Sequence, residues 1–219
     1  MFNTPAVRRL SLVHTRCFHH SNIYMHSTPA LTTSRKKLKL PSDPNSTVYR
    51  GKLFEWQTLQ AFESLGMALN HIGGRSDGGI DLKGEWSLDD GQRARIPVAV
   101  QCKNVKNGCT PDHLRGLLGA TVGLARPTLG ILSTSSCTSN NKTYTPDTMA
   151  LFNASALPLG LARVSSAAIL DALVLNHAAQ RWLDIRVHPR FDPHGKMVSP
   201  PLLLTGDGHV LQLRKRDLD

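Results

Sequence analysis

Asp77-Gly78-Gly79-Ile80-Asp81-Leu82, and further on Val98-Ala99-Val100-Gln101-Cys102-Lys103, are the stretches that decide the fold of this 219-residue chain. A glycine-rich turn leads into a strand that carries one acid, Asp81. A second, apolar strand ends in Gln101-Cys102-Lys103. Alternation along that strand puts Gln101 and Lys103 on one face and Cys102 on the other. Paired as a hairpin, the two strands bring a carboxylate, an amide oxygen and an ammonium together. That is a place where a divalent cation and a phosphodiester can meet.

Metal-assisted phosphodiester cleavage needs hard oxygen ligands, and Mg²⁺ keeps several waters while binding few protein groups. Asp81 is the natural carboxylate. The neutral ligand is either the Gln101 side-chain oxygen or the backbone carbonyl of Cys102. Lys103 can orient the attacking water or stabilise charge growing on the phosphoryl group. Glu55 offers a second carboxylate, because it falls within the broad apolar face that Phe54, Leu59, Ala61, Phe62 and Leu65 share at helical spacing. An acid there is either a rim residue or a ligand. Taken singly, each group has a plainer reading: Asp81 caps a turn, Gln101 lies on an open face, Lys103 ends a strand in solvent.

The elements around this pair follow from local signals. Residues 51–65 read as a helix stopped by Gly66, and 68–72 as a short strand. Residues 80–86 and 95–103 are the paired strands, joined by a polar loop over 87–93. Thr110-Pro111-Asp112 is a helix start, with Thr as N-cap, Pro at the first helical position and an acid in the first turn. Thr145-Pro146-Asp147 repeats it. Residues 128–132 and 157–164 read as strands, the former running into a Ser/Thr-rich loop over 133–139. Ser165 or Ser166 is expected to cap a helix reaching Leu183. Beyond it, 202–205 and 210–213 form a hairpin around Gly206-Asp207-Gly208. This order predicts an α/β fold, a mixed central sheet flanked by helices.

Hydrophobic content of 40% suits a globular domain. No apolar run approaches the ~18–20 residues that cross a bilayer, so no membrane span is expected. The net charge of +10 is unevenly spread. Residues 1–40 hold seven basic residues (Arg8, Arg9, Arg16, Arg35, Lys36, Lys37, Lys39) and no acid, leaving the body at +3. Basic pI alone therefore carries no nucleic-acid argument. The N-terminal composition fits a mitochondrial transit peptide. Arg16-Cys17-Phe18-His19-His20-Ser21 resembles a two-step cleavage pattern, which puts the mature start near His26; the alternative is a basic tail of a nuclear or cytosolic protein. Cys17, Cys102, Cys109 and Cys137 show no Cys-x-x-Cys pair and read as idle thiols. Neither a dinucleotide-binding fingerprint nor a P-loop is present. His71, His113 and His177 share no spacing and read as core or surface residues.

The pair of motifs resembles the PD-(D/E)XK nuclease superfamily in its Mrr-type restriction-endonuclease branch, which joins a Gly-Asp-x-Gly-Ile-Asp-Leu signature to a strand ending Gln-x-Lys. The resemblance covers residues 49–164. It implies a restriction-endonuclease-like domain over 48–190, after a transit peptide over 1–25, a disordered presequence, and a linker over 26–47; residues 191–219 are a tail or hairpin. It places the family's aspartate on Asp81, its glutamine on Gln101, its lysine on Lys103 and the acid of its first helix on Glu55. Mg²⁺ or Mn²⁺ is the implied cofactor and DNA the implied partner, with a homodimer where both strands are cut. Together with the N-terminus, residues 74–86 and 98–104 are also similar to the fungal mitochondrial family named "required for respiratory growth protein 7", which implies action on mitochondrial DNA in support of respiration. Two classes therefore stand: a metal-dependent nuclease, or a nuclease-like module that binds nucleic acid or a protein without cutting.

Overall fold

A computed structural model describes residues 40–72, 78–88, 95–135 and 143–211. The expected transit peptide, most of the linker over 26–47, Asp77 and most of the loop over 87–93 lie outside the described residues. Helix α1 (Thr47–Glu63) starts four residues earlier than its apolar spacing suggests. Ser46 caps it, its side chain accepting from the Tyr49 amide at 3.1 Å. One such cap contributes about 1 kcal/mol, enough to carry the helix through Gly51. Phe54, Thr58, Ala61 and Phe62 form its buried stripe.

Six strands make one mixed sheet in chain order: β1 (Met67–His71), β2 (Leu82–Trp86), β3 (Ile96–Lys103), β4 (Leu129–Ser135), β5 (Leu159–Val164) and β6 (Leu170–Leu175). β1, β2 and β3 pair antiparallel, β3, β4 and β5 parallel, and β6 returns antiparallel to β5. The parallel steps require crossovers, supplied by α2 (Pro111–Val122) and α3 (Pro146–Ala154). A strand covered on both faces reads as a continuous apolar run, and Val98, Ala99 and Val100 are all fully buried. β1 and β2 approach so closely that a Cβ on Gly84 would lie 2.0 Å from the Ala68 carbonyl oxygen.

The core has two layers. On one face α1 packs Phe54 and Phe62 over Leu82, Val98, Val100 and Ile131. On the other, Leu114 and Leu117 of α2 and Phe152 of α3 meet Leu132, Leu159 and Leu161. Helix α4 (His177–Leu183) joins the α1 layer through Ala179 and Leu183. A separate two-stranded sheet, β7 (Ile185–Phe191) with β8 (Met197–Thr205), adds Ile185 and Leu203 to that layer.

Two expectations are corrected and a third is extended. Ser133–Ser135 belong to β4 rather than a loop, because the strand buries their hydroxyls with partners: Ser133 with Thr58 at 3.4 Å, and Thr134 donating to the Lys103 carbonyl at 3.0 Å. The remainder of 133–139 lies outside the described residues. The helix expected from Ser165 to Leu183 is strand β6 followed by the short α4. The Ser165 carbonyl accepts from Ala168, which is left-handed at φ 57, and this turn reverses the chain onto β5. Asn176 then caps α4 and ties it to the sheet, accepting from Ala179 and Leu159 and donating to the Leu157 carbonyl. Last, the turn over 206–208 does fold the chain back on β8, with Val210 bridging Leu204 antiparallel and the Leu211 amide donating to the Leu203 carbonyl at 2.9 Å, while residues 212 and 213 lie outside the described residues. The main partner of β8, however, is β7. Among the described residues no helix is long and apolar enough to cross a membrane.

Candidate functional site

The turn before β2 passes through Gly78 and Gly79 at φ +63 and +85, conformations that suit glycine. It delivers Asp81 to the C-terminal end of β3. There the Asp81 amide donates to the Val100 carbonyl at 2.9 Å, and its own carbonyl accepts from Ile72 at 2.9 Å. Its carboxylate accepts from the Cys102 amide at 2.7 Å, a charge-assisted bond. The carboxylate is thereby seated against β3 between Gln101 and Lys103.

Gln101 is 5% exposed, and its Oε1 has no hydrogen-bond partner among the described residues. A buried acceptor left unsatisfied costs roughly 1–3 kcal/mol. A Cβ on Gly79 would lie 2.9 Å from Gln101 Nε2, and one on Gly116 of α2 would lie 3.9 Å away, so the amide is enclosed between the turn and the helix. Lys103 shares this face by strand alternation. Its charge acts on Cys109 and His113, both on the α2 side of the sheet. Burial pushes the Cys109 thiol up, while a Thr134 hydrogen bond and then Lys103 oppose the rise.

Cys102 points the other way, toward α1. Burial pushes its thiol well up, the Asp81 carboxylate adds to the rise, and Glu55 contributes further; the Thr58 hydrogen bond and Lys103 work against it. Both acids therefore lie within electrostatic reach of one thiol. Glu55, however, comes from the α1 face and pairs with Nε2 of His71. Asp81 is held on the backbone between Gln101 and Lys103 at the end of β3, while Glu55 is bound to a histidine whose spacing pointed only to a core or surface place.

Two of the histidines expected to be plain core or surface residues thus have specific partners. Met67, Leu69 and His71 alternate onto the face that receives α1, and that alternation was the available signal for His71. His113 is the fourth residue of Thr110-Pro111-Asp112-His113, and its Nδ1 accepts from the Thr110 amide at 3.0 Å, closing a capping box. Burial, then the Lys103 charge, holds its imidazole below the usual range against the opposing pull of Asp112.

Among the described residues no group of three or more His, Cys, Asp or Glu side chains is arranged to hold a metal. An oxygen set that mixes one carboxylate with amide and carbonyl oxygens is a different case. The Asp81 carboxylate, the unsatisfied Gln101 Oε1 and the Cys102 carbonyl are all hard donors, and they fit a divalent cation that takes few protein ligands.

Residues 46–97 match the family model described as "Required for respiratory growth protein 7". That span contains Glu55, His71 and Asp81 and ends before Gln101 and Lys103. The chain is 32% identical over 124 residues to an uncharacterised mitochondrial protein of Schizosaccharomyces pombe, covering 57% of this chain and 47% of that protein. It is 44% identical over 48 residues to the mitochondrial Required for respiratory growth protein 7 of Saccharomyces cerevisiae (strain ATCC 204508 / S288c), covering 21% of this chain and 20% of the relative. The corresponding protein of Vanderwaltozyma polyspora is 46% identical over 46 residues, 20% of this chain and 18% of its own. The chain spans about half the length of the first of these relatives and a fifth or less of the others. No solved structure matches it. All three relatives are named as mitochondrial, and this chain is a mitochondrial protein, as its basic N-terminus leads one to expect.

Proposed function

We propose that this chain is a metal-dependent phosphodiesterase with a restriction-endonuclease-like core, acting on mitochondrial DNA in support of respiratory growth. The observation that carries the reading is the Asp81 carboxylate held on the Cys102 amide, flanked by an unsatisfied buried amide oxygen and a lysine. Asp81, Gln101 Oε1 and the Cys102 carbonyl would hold Mg²⁺ or Mn²⁺, with Glu55 as the further acid. The ion supplies Lewis-acid stabilisation of the phosphodiester's charge.

The chain's own groups do the rest. Lys103 places a water for attack on phosphorus and neutralises the charge that builds on the equatorial oxygens as one ester P–O bond breaks. The buried Gln101 amide is fixed by the turn and by α2, so its oxygen needs little reorganisation. Glu55, tied to His71, is held rigidly at the edge of this centre. Cutting both strands of a duplex at one position calls for two such centres, and hence two copies of the chain.

A second reading has its own support. With Gln101 in place of an acid, and Glu55 engaged by His71, the centre carries little negative charge for a cation. A nuclease-like module that binds nucleic acid or a protein partner without cutting would need no more. Incubating the full chain with duplex, flap and junction DNA, with and without Mg²⁺ or Mn²⁺, separates the two. Metal-dependent products support the enzyme. DNA binding without product under every metal supports the module.

A further inference from the structure

At the opposite end of β3 from Asp81 lies a groove of about 420 Å³, separated from it by the length of the strand. Asp81 is bonded to the Cys102 amide, and at ~3.3 Å per residue the six steps along β3 from Ile96 to Cys102 make that distance about 20 Å. Leu88, Ile96 and Leu183, all buried, form its floor, and the prolines 97 and 127 stiffen its sides. Three large side chains on its rim are exposed: Trp182 of α4 at 41%, Arg95 just before β3 at 62%, and Arg126 just before β4 at 67%.

A tryptophan left this exposed beside an apolar floor forgoes part of the burial that a large side chain normally gains. An exposed ring bordered by guanidinium groups suits a flat, anionic guest. Among the described residues, the acids nearby do not fill that role. Glu85 reaches Arg95 at 3.5 Å and Arg126 at 3.9 Å, so one half-exposed carboxylate is shared by two cations at long range. Each guanidinium has five N–H donors, most of them uncommitted by that contact. Asp184 also borders the groove, but its carboxylate is turned onto the Gly206 turn, where a Cβ would lie 2.0 Å from Oδ1.

We propose that this groove binds one unpaired nucleotide of a single-stranded nucleic acid, its base stacked on Trp182 and its phosphates on Arg95 and Arg126. An unpaired base offers a π-face that a duplex keeps stacked inside, and the groove's volume accommodates a single base rather than a helix. The site is distinct from the end of β3 that holds Asp81, and it does not depend on the proposed cleavage.

The test uses the full chain in EDTA, so that neither metal nor turnover enters. A short oligothymidylate is titrated while tryptophan emission and fluorescence anisotropy are followed. Trp182→Ala is expected to weaken binding about tenfold, as loss of one stacked base does, while Trp182→Phe keeps most of the affinity. Arg95→Gln combined with Arg126→Gln is expected to lower the slope of log affinity against log salt by about one to two. A duplex of equal length should compete poorly. Thermal melting checks that each variant is folded, and the arginine pair serves as the test should Trp182→Ala not fold. Unchanged affinity in the folded variants overturns the proposal. So does competition by the duplex as strong as that of unlabelled oligothymidylate, or no binding of the oligonucleotide, the result expected if the groove instead holds a protein segment.

Discussion

The carboxylate of Asp81 accepts the backbone N–H of Cys102 at 2.7 Å, so the acid at the end of the hairpin also completes the hydrogen bonding of β3. The residue therefore has two separable duties, one to the fold and one to the proposed chemistry.

Substitution at Asp81 should split them. Asp81→Asn keeps an oxygen for the Cys102 amide and loses the charge; it should melt near the wild-type temperature yet bind Mn²⁺ much more weakly. Asp81→Ala loses both and should destabilise the chain by roughly 1–3 kcal/mol, the cost of an amide left without its acceptor. Calorimetric melting with isothermal titration of Mn²⁺ checks this. Equal Mn²⁺ affinity in Asp81→Asn and wild type would remove Asp81 from the ligand set.

Gln101→Glu should behave in the opposite sense. It places a second buried charge beside Asp81, which costs stability while no cation is present. Added Mg²⁺ should then raise its melting temperature by more than it raises the wild type's, because a ligand stabilises whichever chain binds it more tightly. Equal shifts in both chains would mean that Oε1 faces no cation.

How much of this could be read from the chain depended on the reach of each signal. The continuous run Val98-Ala99-Val100 and the two Thr-Pro-Asp starts are local, and they located β3, α2 and α3 correctly. β6 was hidden because Leu170, Leu173 and His177 fall at helical spacing, while the turn before it uses Ala168 at positive φ, with no glycine to announce it. Asn176 decides that region through partners on β5 and on the segment after α3, contacts remote in sequence. At the site, Asp81, Gln101 and Lys103 were legible because two paired strands set their positions. The Glu55–His71 pair depends on how α1 lies over β1, which spacing alone does not specify.

His113 gives a pH dependence with a definite sign. Its folded pKa is lowered, chiefly by burial and then by Lys103, so the unfolded chain binds the extra proton more readily. Stability should accordingly fall as pH drops from about 6.5, the unfolded value, toward the lower folded one. Protonation also removes the Nδ1 acceptor from the Thr110 amide. Urea unfolding between pH 7.5 and 5.5 should show a steeper loss in wild type than in His113→Gln, and parallel profiles would contradict this.

His71→Ala should destabilise the chain by about 1–3 kcal/mol, since a mostly buried Glu55 carboxylate loses its partner. His71→Gln, which restores a donor, should recover part of the loss. If Glu55→Gln combined with His71→Ala is no closer to wild type than His71→Ala alone, the pair is not the source of the cost.

Lys103→Ala tests the central claim most directly, through DNA cleavage and DNA affinity measured side by side. A group that acts on the transition state changes turnover far more than binding, whereas a simple phosphate contact does the reverse. The account predicts that the variant loses cleavage in Mg²⁺ or Mn²⁺ while keeping most of its affinity for the same DNA in Ca²⁺. Lys103→Arg should restore little, because a planar guanidinium does not reproduce a compact ammonium. Cleavage by Lys103→Ala at the wild-type rate, or a wild-type chain that binds DNA and cuts none of it under any metal, would contradict the account.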